Sequence, residues 1–192
     1  MPVINGRWTS GGEQVRRPFD PQAALAALAR GELPVDDLAI AIDRDGVWHH
    51  EGRPIRRPEL VRLFASVLHR DQRGDYWLVT PVERGRVAVA DVPFVAVELA
   101  REGAGRQQVL RLRTNLEEWV TLDAEHPLRI ADGTGGPVPY ILVRRGLEAR
   151  ISTSVYYELA ELAVSGPEDS RLGVWSSGRL FPLEPAGGAG HG

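Results

Sequence analysis

The stretch Val47–Leu68 restricts the fold more than any other part of the chain. It has the pattern of a β-hairpin that runs directly into a short amphipathic helix. Glu51-Gly52 supplies the hairpin turn, because glycine tolerates positive φ. Pro58 suits a first helical position, where its missing N–H costs nothing. Apolar residues then recur at helical spacing and predict one stripe facing a core: Leu60, Leu63, Phe64, Val67 and Leu68.

The same plan returns near residue 140. Strands are predicted at 140–144 and 147–151 around an Arg145-Gly146 turn, and Ser152, Thr153 and Ser154 offer caps for a second helix. Laying one copy over the other aligns Ile55 with Ile151, Leu60 with Tyr156, Leu63 with Leu159 and Val67 with Ala163. This alignment predicts an internal duplication of a β-hairpin–helix–strand unit.

The pattern as a whole predicts an α+β protein with mainly antiparallel strands and two short helices. Four regions are expected: an arm with a short helix at 1–34, a first α+β unit at 35–92, a second, barrel-like α+β unit at 93–184, and a disordered tail at 185–192. Within the second unit, 132–139 has the Gly and Pro signals of a loop. Val109–Arg113 alternates apolar and charged residues, which predicts a half-exposed edge strand.

Composition excludes several kinds of chemistry. The chain has no cysteine, and all 23 of its basic residues are arginine, so disulfides, thiolate nucleophiles and catalytic lysines are absent. A net charge of −3 gives no basic field for a nucleic-acid polymer. No stretch approaches the roughly 20 apolar residues of a membrane helix. We therefore expect a cytoplasmic protein without a membrane partner.

Four segments carry a resemblance to a known family: DRDGVWHHEGRPIRRPELVRLFASVL, YWLVTPVERGRVAVADVPFVAVEL, RRGLEARISTSVYYELAE and GVWSSGRLFPLE. In this order they resemble the bacterial proteins grouped as domain of unknown function 1285. The likeness spans about Val35–Glu184, and Met1–Pro34 has no counterpart. The resemblance implies a two-part α+β fold with internal duplication and a pleckstrin-homology-like second half. It also implies a nucleotide-like ligand between the parts and a role in signalling.

The starts of the two predicted helices form the candidate ligand site. Unpaired N–H groups and the helix dipole favour anions there, and guanidinium groups match phosphate oxygens. We expect both starts to line one cleft that holds an anionic, nucleotide-like molecule. The predicted ligand-binding residues are Arg56, Arg57, Arg144 and Arg145, with Trp48, His49 and Tyr157 beside them. Exposed arginines and an ordinary serine cap explain the same residues without a ligand.

Two other functions fit the sequence. The chain is also predicted as a protein-interaction module, in which an edge such as Val109–Arg113 accepts a partner strand. A hydrolase or transferase would use His49 with Glu51 or Glu83 as base and orienter. A metal at His49 would need a further ligand such as His126 or Asp123, and no metal-binding spacing is present. The prediction is a non-enzymatic module with no catalytic residue, metal or cofactor.

Overall fold

The computed structural model describes residues 35–80, 84–166 and 171–185. The predicted arm at 1–34, with its short helix, and nearly all of the tail lie outside these residues. The described chain forms two units, a first from β1 to β6 with α1 and a second from β7 to β15 with α2. The strands of the first unit are β1 (Val35–Ile42), β2 (Trp48–His50), β3 (Arg53–Pro54), β4 (Leu68–Arg70), β5 (Tyr76–Val79) and β6 (Arg84–Val89), and α1 is Pro58–Ser66.

The second unit contains more strands and one helix. Its first six strands are β7 (Phe94–Glu102), β8 (Val109–Thr114), β9 (Trp119–Thr121), β10 (Leu128–Gly133), β11 (Gly136–Arg144) and β12 (Leu147–Ile151). They are followed by α2 (Thr153–Glu161), β13 (Val164–Ser165), β14 (Leu172–Ser176) and β15 (Arg179–Pro182). This mostly β architecture with two helices and two units agrees with the predicted fold at that level.

Each unit is built on a six-stranded sheet, and the two sheets have the same strand order. The first runs β3-β2-β1-β6-β5-β4 and the second runs β9-β8-β7-β12-β11-β10. In both, two three-stranded antiparallel meanders are joined by a central parallel pair, β1 with β6 and β7 with β12. The helix position differs, because α1 connects the two meanders of its unit whereas α2 follows the last strand of its six-stranded sheet. The predicted alignment of Ile55 with Ile151, and of the helix residues that follow, is therefore wrong, since the shared strand order matches β2–β3 with β8–β9.

The second sheet is curled into a half-barrel. Its edge strands β9 and β10 are connected by the short segment between Thr121 and Leu128. A flat six-stranded sheet would separate its edges by about 24 Å, which this segment spans only when almost fully extended. It is not extended, since Asp123 accepts hydrogen bonds from the N–H groups of Glu125 and His126, each at 2.9 Å. The edges must therefore curve towards each other.

The first helix follows the predicted start but not the whole predicted stripe. Pro58 occupies its first turn, as expected, and Arg57 is its N-cap without a side-chain bond. The helix ends at Ser66, and Leu68 belongs to β4. Leu63 is 60% exposed, whereas Val61 and Ala65 are buried. The prediction for Leu63 is wrong because the helix has two neighbouring apolar stripes, and the one containing Val61 and Ala65 belongs to the core.

The second helix begins as predicted at the serine cluster. The Ser152 hydroxyl accepts from the N–H of Val155 at 3.5 Å and caps the helix. Val155 and Leu159 are buried, Tyr156 is half-buried, and its hydroxyl donates to the carbonyl of Leu183 at 2.9 Å. The helix therefore closes over β7 and the C-terminal strands.

The segment 132–139 is not a loop. β10 and β11 continue through it, and Asp132 pairs with Pro137 while Ile130 pairs with Pro139. Prolines are tolerated here because β11 pairs with β12 only from Tyr140 onwards. Both prolines therefore lie in a two-stranded ribbon of β10 and β11. No described strand pairs with the other side of β11 there, so the N–H that proline lacks is not needed.

Val109–Arg113 is not an edge strand. β8 lies between β7 and β9 and pairs with both. Its two arginines form ion pairs across the sheet surface, Arg111 with Glu102 at 2.8 Å and Arg113 with Glu98 at 2.6 Å. The alternation correctly predicted one solvated face, but a solvated face does not make an edge. The edges of this sheet are β9 and β10.

One continuous cluster of buried apolar side chains extends through both units. Ile42 and Trp48 of the first unit belong to the same cluster as Phe94 and Ile141 of the second. The three-stranded sheet β13–β15 closes one side of it, and Ser176 accepts from the N–H of Leu110 at 3.0 Å. In the part of the chain described, no helix is long and apolar enough to cross a membrane.

Candidate ligand-binding site between the two units

A cleft of about 330 Å³ lies between the two units. The end of α1 provides the wall from the first unit. The start of β7, the β8–β9 turn and the end of β11 provide the wall from the second. The residues that line it are Arg62, Ala65, Ser66, Phe94, Leu116, Glu118 and Arg144. Both walls therefore contribute a guanidinium group, and the second wall also contributes an aromatic ring.

Arg144 connects the two walls. It is the last residue of β11, and its Nη2 donates to the carbonyl of Ala65 at 2.9 Å, at the C-terminal end of α1. Its Nη1 pairs with the carboxylate of Glu118, and its Cζ lies 5.1 Å from the centre of the Phe94 ring. A cation is favoured at this position because a helix C-terminus carries partial negative charge.

Arg62 is held less tightly than Arg144. Its guanidinium forms an ion pair with Glu59, one turn earlier on α1, at 3.7 Å, and the two side chains are 44% and 82% exposed. Such an exposed pair contributes little free energy. The Arg62 guanidinium can therefore turn towards a bound group at small cost.

The charges of the cleft are mixed. Two arginines and the single carboxylate of Glu118 line it, and the carbonyl end of α1 adds a partial negative charge. The Ser66 hydroxyl donates to the carbonyl of Leu63 at 2.7 Å. The cleft can therefore bind one anionic group beside an apolar surface formed by Phe94 and Leu116.

The predicted arginines are distributed over different places. Arg144 lines the cleft. Arg56 and Arg57 are exposed at the start of α1, and nine residues of helix, about 13 Å, separate that start from the end that reaches the cleft. Arg145 is exposed in the β11–β12 turn with a φ of 43°. The cleft thus meets the C-terminal end of α1, and a ligand role for the other three arginines stays a prediction.

The other predicted ligand residues also lie apart from the cleft lining. Trp48 is 1% exposed, and its ring stacks on Phe64 with centroids 6.3 Å apart, so it belongs to the core. Tyr157 is 65% exposed on α2. His49 Nε2 lies 2.9 Å from the carboxylate of Asp43. Their assignment to a ligand remains a sequence-based prediction.

The Asp43–His49 contact organises the β1–β2 turn. Asp43 also accepts from the backbone N–H groups of Asp45 and Val47, each at 2.9 Å. Desolvation acts to raise the pKa of Asp43, but the hydrogen bonds from His49 and these two N–H groups outweigh it and hold the pKa below its usual value. This arrangement gives His49 a structural partner in the turn.

The groups considered for catalysis or metal binding are placed as follows. Glu51 is exposed in the β2–β3 turn, while the His49 ring is directed at Asp43, and Glu83 lies outside the described residues. His126 Nδ1 lies 3.1 Å from Asp123, so these two side chains pair with each other. Across residues 35–80, 84–166 and 171–185, no cluster of three or more His, Asp or Glu side chains could hold a metal ion.

Several contacts between the units were not predicted from the sequence. The Asn115 side chain donates to the carbonyl of Gly46 in the first unit at 3.0 Å, and within its own unit it accepts from the N–H of Val95 at 3.0 Å. Arg150 donates to the carbonyl of Arg44. Glu118 and Asn115 lie in a turn that looked like an ordinary mixed-charge surface, and nothing local marks such residues as part of an interface.

Comparison with known proteins identifies one protein family over most of the chain. The family model described as domain of unknown function (DUF1285), N-terminal domain, matches residues 34–92. The one described as protein of unknown function (DUF1285), C-terminal domain, matches residues 93–183. No protein with a curated description matches the chain.

Two solved structures share the fold. The crystal structure of a DUF1285 family protein from Silicibacter pomeroyi DSS-3 is 43% identical, covers 80% of this chain and 84% of that one, and superposes with a TM-score of 0.73. A DUF1285 family protein from Shewanella baltica OS155 is 26% identical, with 64% and 90% covered and a TM-score of 0.52. Both domain models and the Silicibacter structure agree with the two-unit architecture, and the chain belongs to the DUF1285 family.

Proposed function

We propose that this protein is a non-enzymatic module that binds an anionic, nucleotide-like small molecule in the cleft between its two units. One observation carries the proposal: Arg62 from the first unit and Arg144 from the second line the same cleft, with Phe94 beside them. Guanidinium groups match phosphate oxygens in geometry and charge. An aromatic ring offers a surface for a base or another planar group.

The size and charge of the cleft narrow the class of ligand. A volume of about 330 Å³ is at the lower end of small-molecule sites, which occupy about 300–1,000 Å³. This size favours a mononucleotide or a smaller phosphorylated metabolite over a dinucleotide. Glu118 competes with the ligand for Arg144, so the phosphate is expected to rest mainly on Arg62.

A ligand in this position would act on the arrangement of the units. Because its contacts would come from both walls, it would favour whichever relative position of the units closes the cleft. Such a response is typical of a sensor, and we propose a signalling role in the bacterial cytoplasm. The relatives from Silicibacter and Shewanella support the bacterial part of this proposal.

We also propose an origin for the fold. The shared strand order of the two sheets, each with a central parallel pair, supports an internal duplication. The curled second sheet followed by α2, which packs on β7, supports a relationship to pleckstrin-homology-like barrels. The duplicated element would be the six-stranded sheet. The two helices would have been added at different points of the two copies.

A thermal-shift screen with nucleotides and phosphorylated metabolites tests the binding proposal. A ligand at 100 times its Kd adds about 2.7 kcal/mol of stability, or roughly 5–10 °C for a chain of this size. We expect Arg62→Ala to lose most of this shift and Arg179→Ala, an exposed arginine of the third sheet, to keep it. An equal shift in both variants, or no shift with any compound, would contradict the proposal.

A protein-interaction module is the second candidate. Trp119 is 45% exposed on β9, which is an edge of the second sheet in the described part of the chain, and an edge strand offers backbone groups to another strand. An exposed aromatic side chain on an edge strand is typical of a surface that adds a partner strand. Nuclear magnetic resonance in the presence of the bound molecule would separate the two candidates. The amide signals of β9 would shift if a partner strand binds there, whereas those of the cleft residues would shift if a small molecule binds in the cleft.

A further inference from the structure

His69 is a buried titratable group at the contact between the two units. It occupies the middle of β4, an edge strand of the first sheet, and its residue is only 5% exposed. Its Nε2 is buried and has no hydrogen-bond partner. A buried ring nitrogen without a hydrogen-bond partner costs free energy, and this position is therefore unusual for a residue with only a structural role.

The groups around His69 are positively charged. Arg144 and Arg145, from the end of β11 and the β11–β12 turn, are the two charges that act on its ring. On its own strand the next residue is Arg70, whose Nη1 lies 3.5 Å from the carbonyl of Gly146 in that turn. On β5 the paired residue is the uncharged Trp77. Two acids lie near this contact: Glu118 is bound to Arg144, and Glu148 of β12, which acts on Tyr76 of β5, is bound to Arg129.

Burial and the neighbouring guanidinium groups both oppose protonation of His69 while the units are in contact. Burial lowers the pKa of His69 below its ordinary value of 6.5, and the guanidinium groups of Arg145 and Arg144 lower it further. If the turn separates from β4, water and distance remove both effects and the pKa returns towards 6.5. The open arrangement therefore takes up a proton more readily than the closed one.

We propose that the contact between β4 and the β11–β12 turn is a proton-sensitive latch, closed when His69 is neutral and released when it is protonated. An imidazolium in the closed arrangement would lie buried against two guanidinium groups. Since Arg144 also lines the cleft and binds the end of α1, release would open the wall of the cleft as well. The latch does not depend on the identity of a ligand.

The direction and size of the effect follow from linkage. Below pH 6.5 the open state binds more protons than the closed state, so the closed state loses stability as pH falls. A group with a pKa of 6.5 is about 90% protonated at pH 5.5. The opening equilibrium constant is therefore expected to rise by up to about tenfold between pH 7.5 and pH 5.5.

Two measurements on the full chain test the latch. The first is the pKa of His69 from nuclear magnetic resonance of its ring carbons. The second is energy transfer between dyes at Gln72→Cys and Asp132→Cys, both exposed positions on different units, in a chain that has no other cysteine. We expect a His69 pKa below 6.5 and a loss of transfer as pH falls from 7.5 to 5.5. His50→Phe, at an exposed histidine, should behave as the wild type does.

Two variants separate a latch from ordinary packing. His69→Phe should remove the pH dependence of energy transfer. Arg145→Asn changes only an exposed residue at positive φ, which asparagine tolerates, so it keeps the test valid if His69→Phe fails to fold. It should raise the pKa of His69 and reduce the pH dependence. A His69 pKa at or above 6.5, or unchanged pH dependence in Arg145→Asn, would overturn the proposal.

Discussion

At the scale of single residues, Arg144 makes the most consequential contacts of the chain. Its guanidinium joins Glu118 of the β8–β9 turn, the last turn of α1 and the ring of Phe94. The side chain is 30% exposed, so these contacts are only partly screened by water. A surface pair such as Arg86 with Asp75, where the arginine is 64% exposed, has no comparable set of partners.

This contrast gives a stability prediction. Arg144→Met should lower the free energy of unfolding by about 1–2 kcal/mol, because it leaves Glu118 and the Ala65 carbonyl without their partner. Arg86→Met should cost no more than about 0.5 kcal/mol, as expected for an exposed ion pair. Urea unfolding of both variants measures the difference, and equal losses would show that Arg144 is an ordinary surface residue.

Gly46 of the first unit lies directly against side chains of the second unit. A Cβ on Gly46 would lie 2.7 Å from Nδ2 of Asn115 and 3.1 Å from Cγ2 of Val95, both in the second unit. Gly52 has almost the same φ, 75° against 74°, with open space around it. Both Gly→Ala variants should lose about 1 kcal/mol to backbone strain.

The difference between the two variants isolates the contact between the units. Gly46→Ala should lose roughly 1–3 kcal/mol more than Gly52→Ala, because overpacking is added to the strain. It also displaces the hydrogen bond from Asn115 to the Gly46 carbonyl. Calorimetry or urea unfolding provides the measurement, and indistinguishable variants would mean that this contact contributes nothing.

At the scale of secondary structure, the β11–β12 hairpin is the element that both the cleft and the latch depend on. Its turn places Arg145 and Gly146 at φ values of 43° and 79°, the combination that a two-residue hairpin of type I′ requires. A change of conformation in this turn would move Arg144 and Arg145 together.

The turn geometry can be tested with two glycines in open surroundings. Gly146→Ala should lower the free energy of unfolding by about 1 kcal/mol, since alanine is strained at this φ. Gly135, in the β10–β11 turn, also has nothing near its added Cβ, and its φ is not in the left-handed region. Gly135→Ala should therefore be neutral or slightly stabilising, and a loss equal to that of Gly146→Ala would refute the assignment.

Local sequence patterns predicted the positions of the helices and strands better than the contacts that these elements make with one another. Pro58 and Ser152 marked the two helix starts, β12 was predicted with both of its observed ends, and β11 was predicted with its observed C-terminal end. The extent of β10 and β11 was missed, because Pro137 and Pro139 are tolerated only through the absence of β12 beside them. The place of β8 inside its sheet was missed, because pairing with β7 and β9 is a long-range property.

The candidate site was predicted less well for the same reason. That arginines of both units meet at the seam was expected, and Arg144 is at the cleft. Which end of α1 faces the second unit depends on packing between segments far apart in the chain. Arg62 and Glu118 could therefore not be selected from the sequence, where they look like ordinary surface charges.

At the scale of the whole molecule, the two units share one core. Buried side chains of both belong to a single cluster, and polar contacts from Asn115, Arg144 and Arg150 cross between them. Each unit would expose apolar surface if it separated completely, and such exposure is costly. The movements proposed for ligand binding and for the latch therefore open the contact between β4 and the β11–β12 turn while the shared core stays closed.

Cooperative unfolding follows from this shared core. Backbone amides of Ile42 in the first unit and Ile141 in the second are expected to exchange with solvent through the same global opening, with equal free energies and equal dependence on urea. Native-state hydrogen exchange measures both. Different free energies for the two amides would show that the units unfold separately.

Titration of the side-chain Nε–H signals of arginine, with the mononucleotide that gives the largest thermal shift, tests directly whether the cleft holds the ligand. If the cleft is the binding site, the signals of Arg62 and Arg144 move together along one saturation curve, while those of Arg56 and Arg57 at the exposed start of α1 stay in place. Saturable movement of the Arg56 and Arg57 signals, with those of Arg62 and Arg144 unchanged, would place the ligand at the start of α1 and not in the cleft.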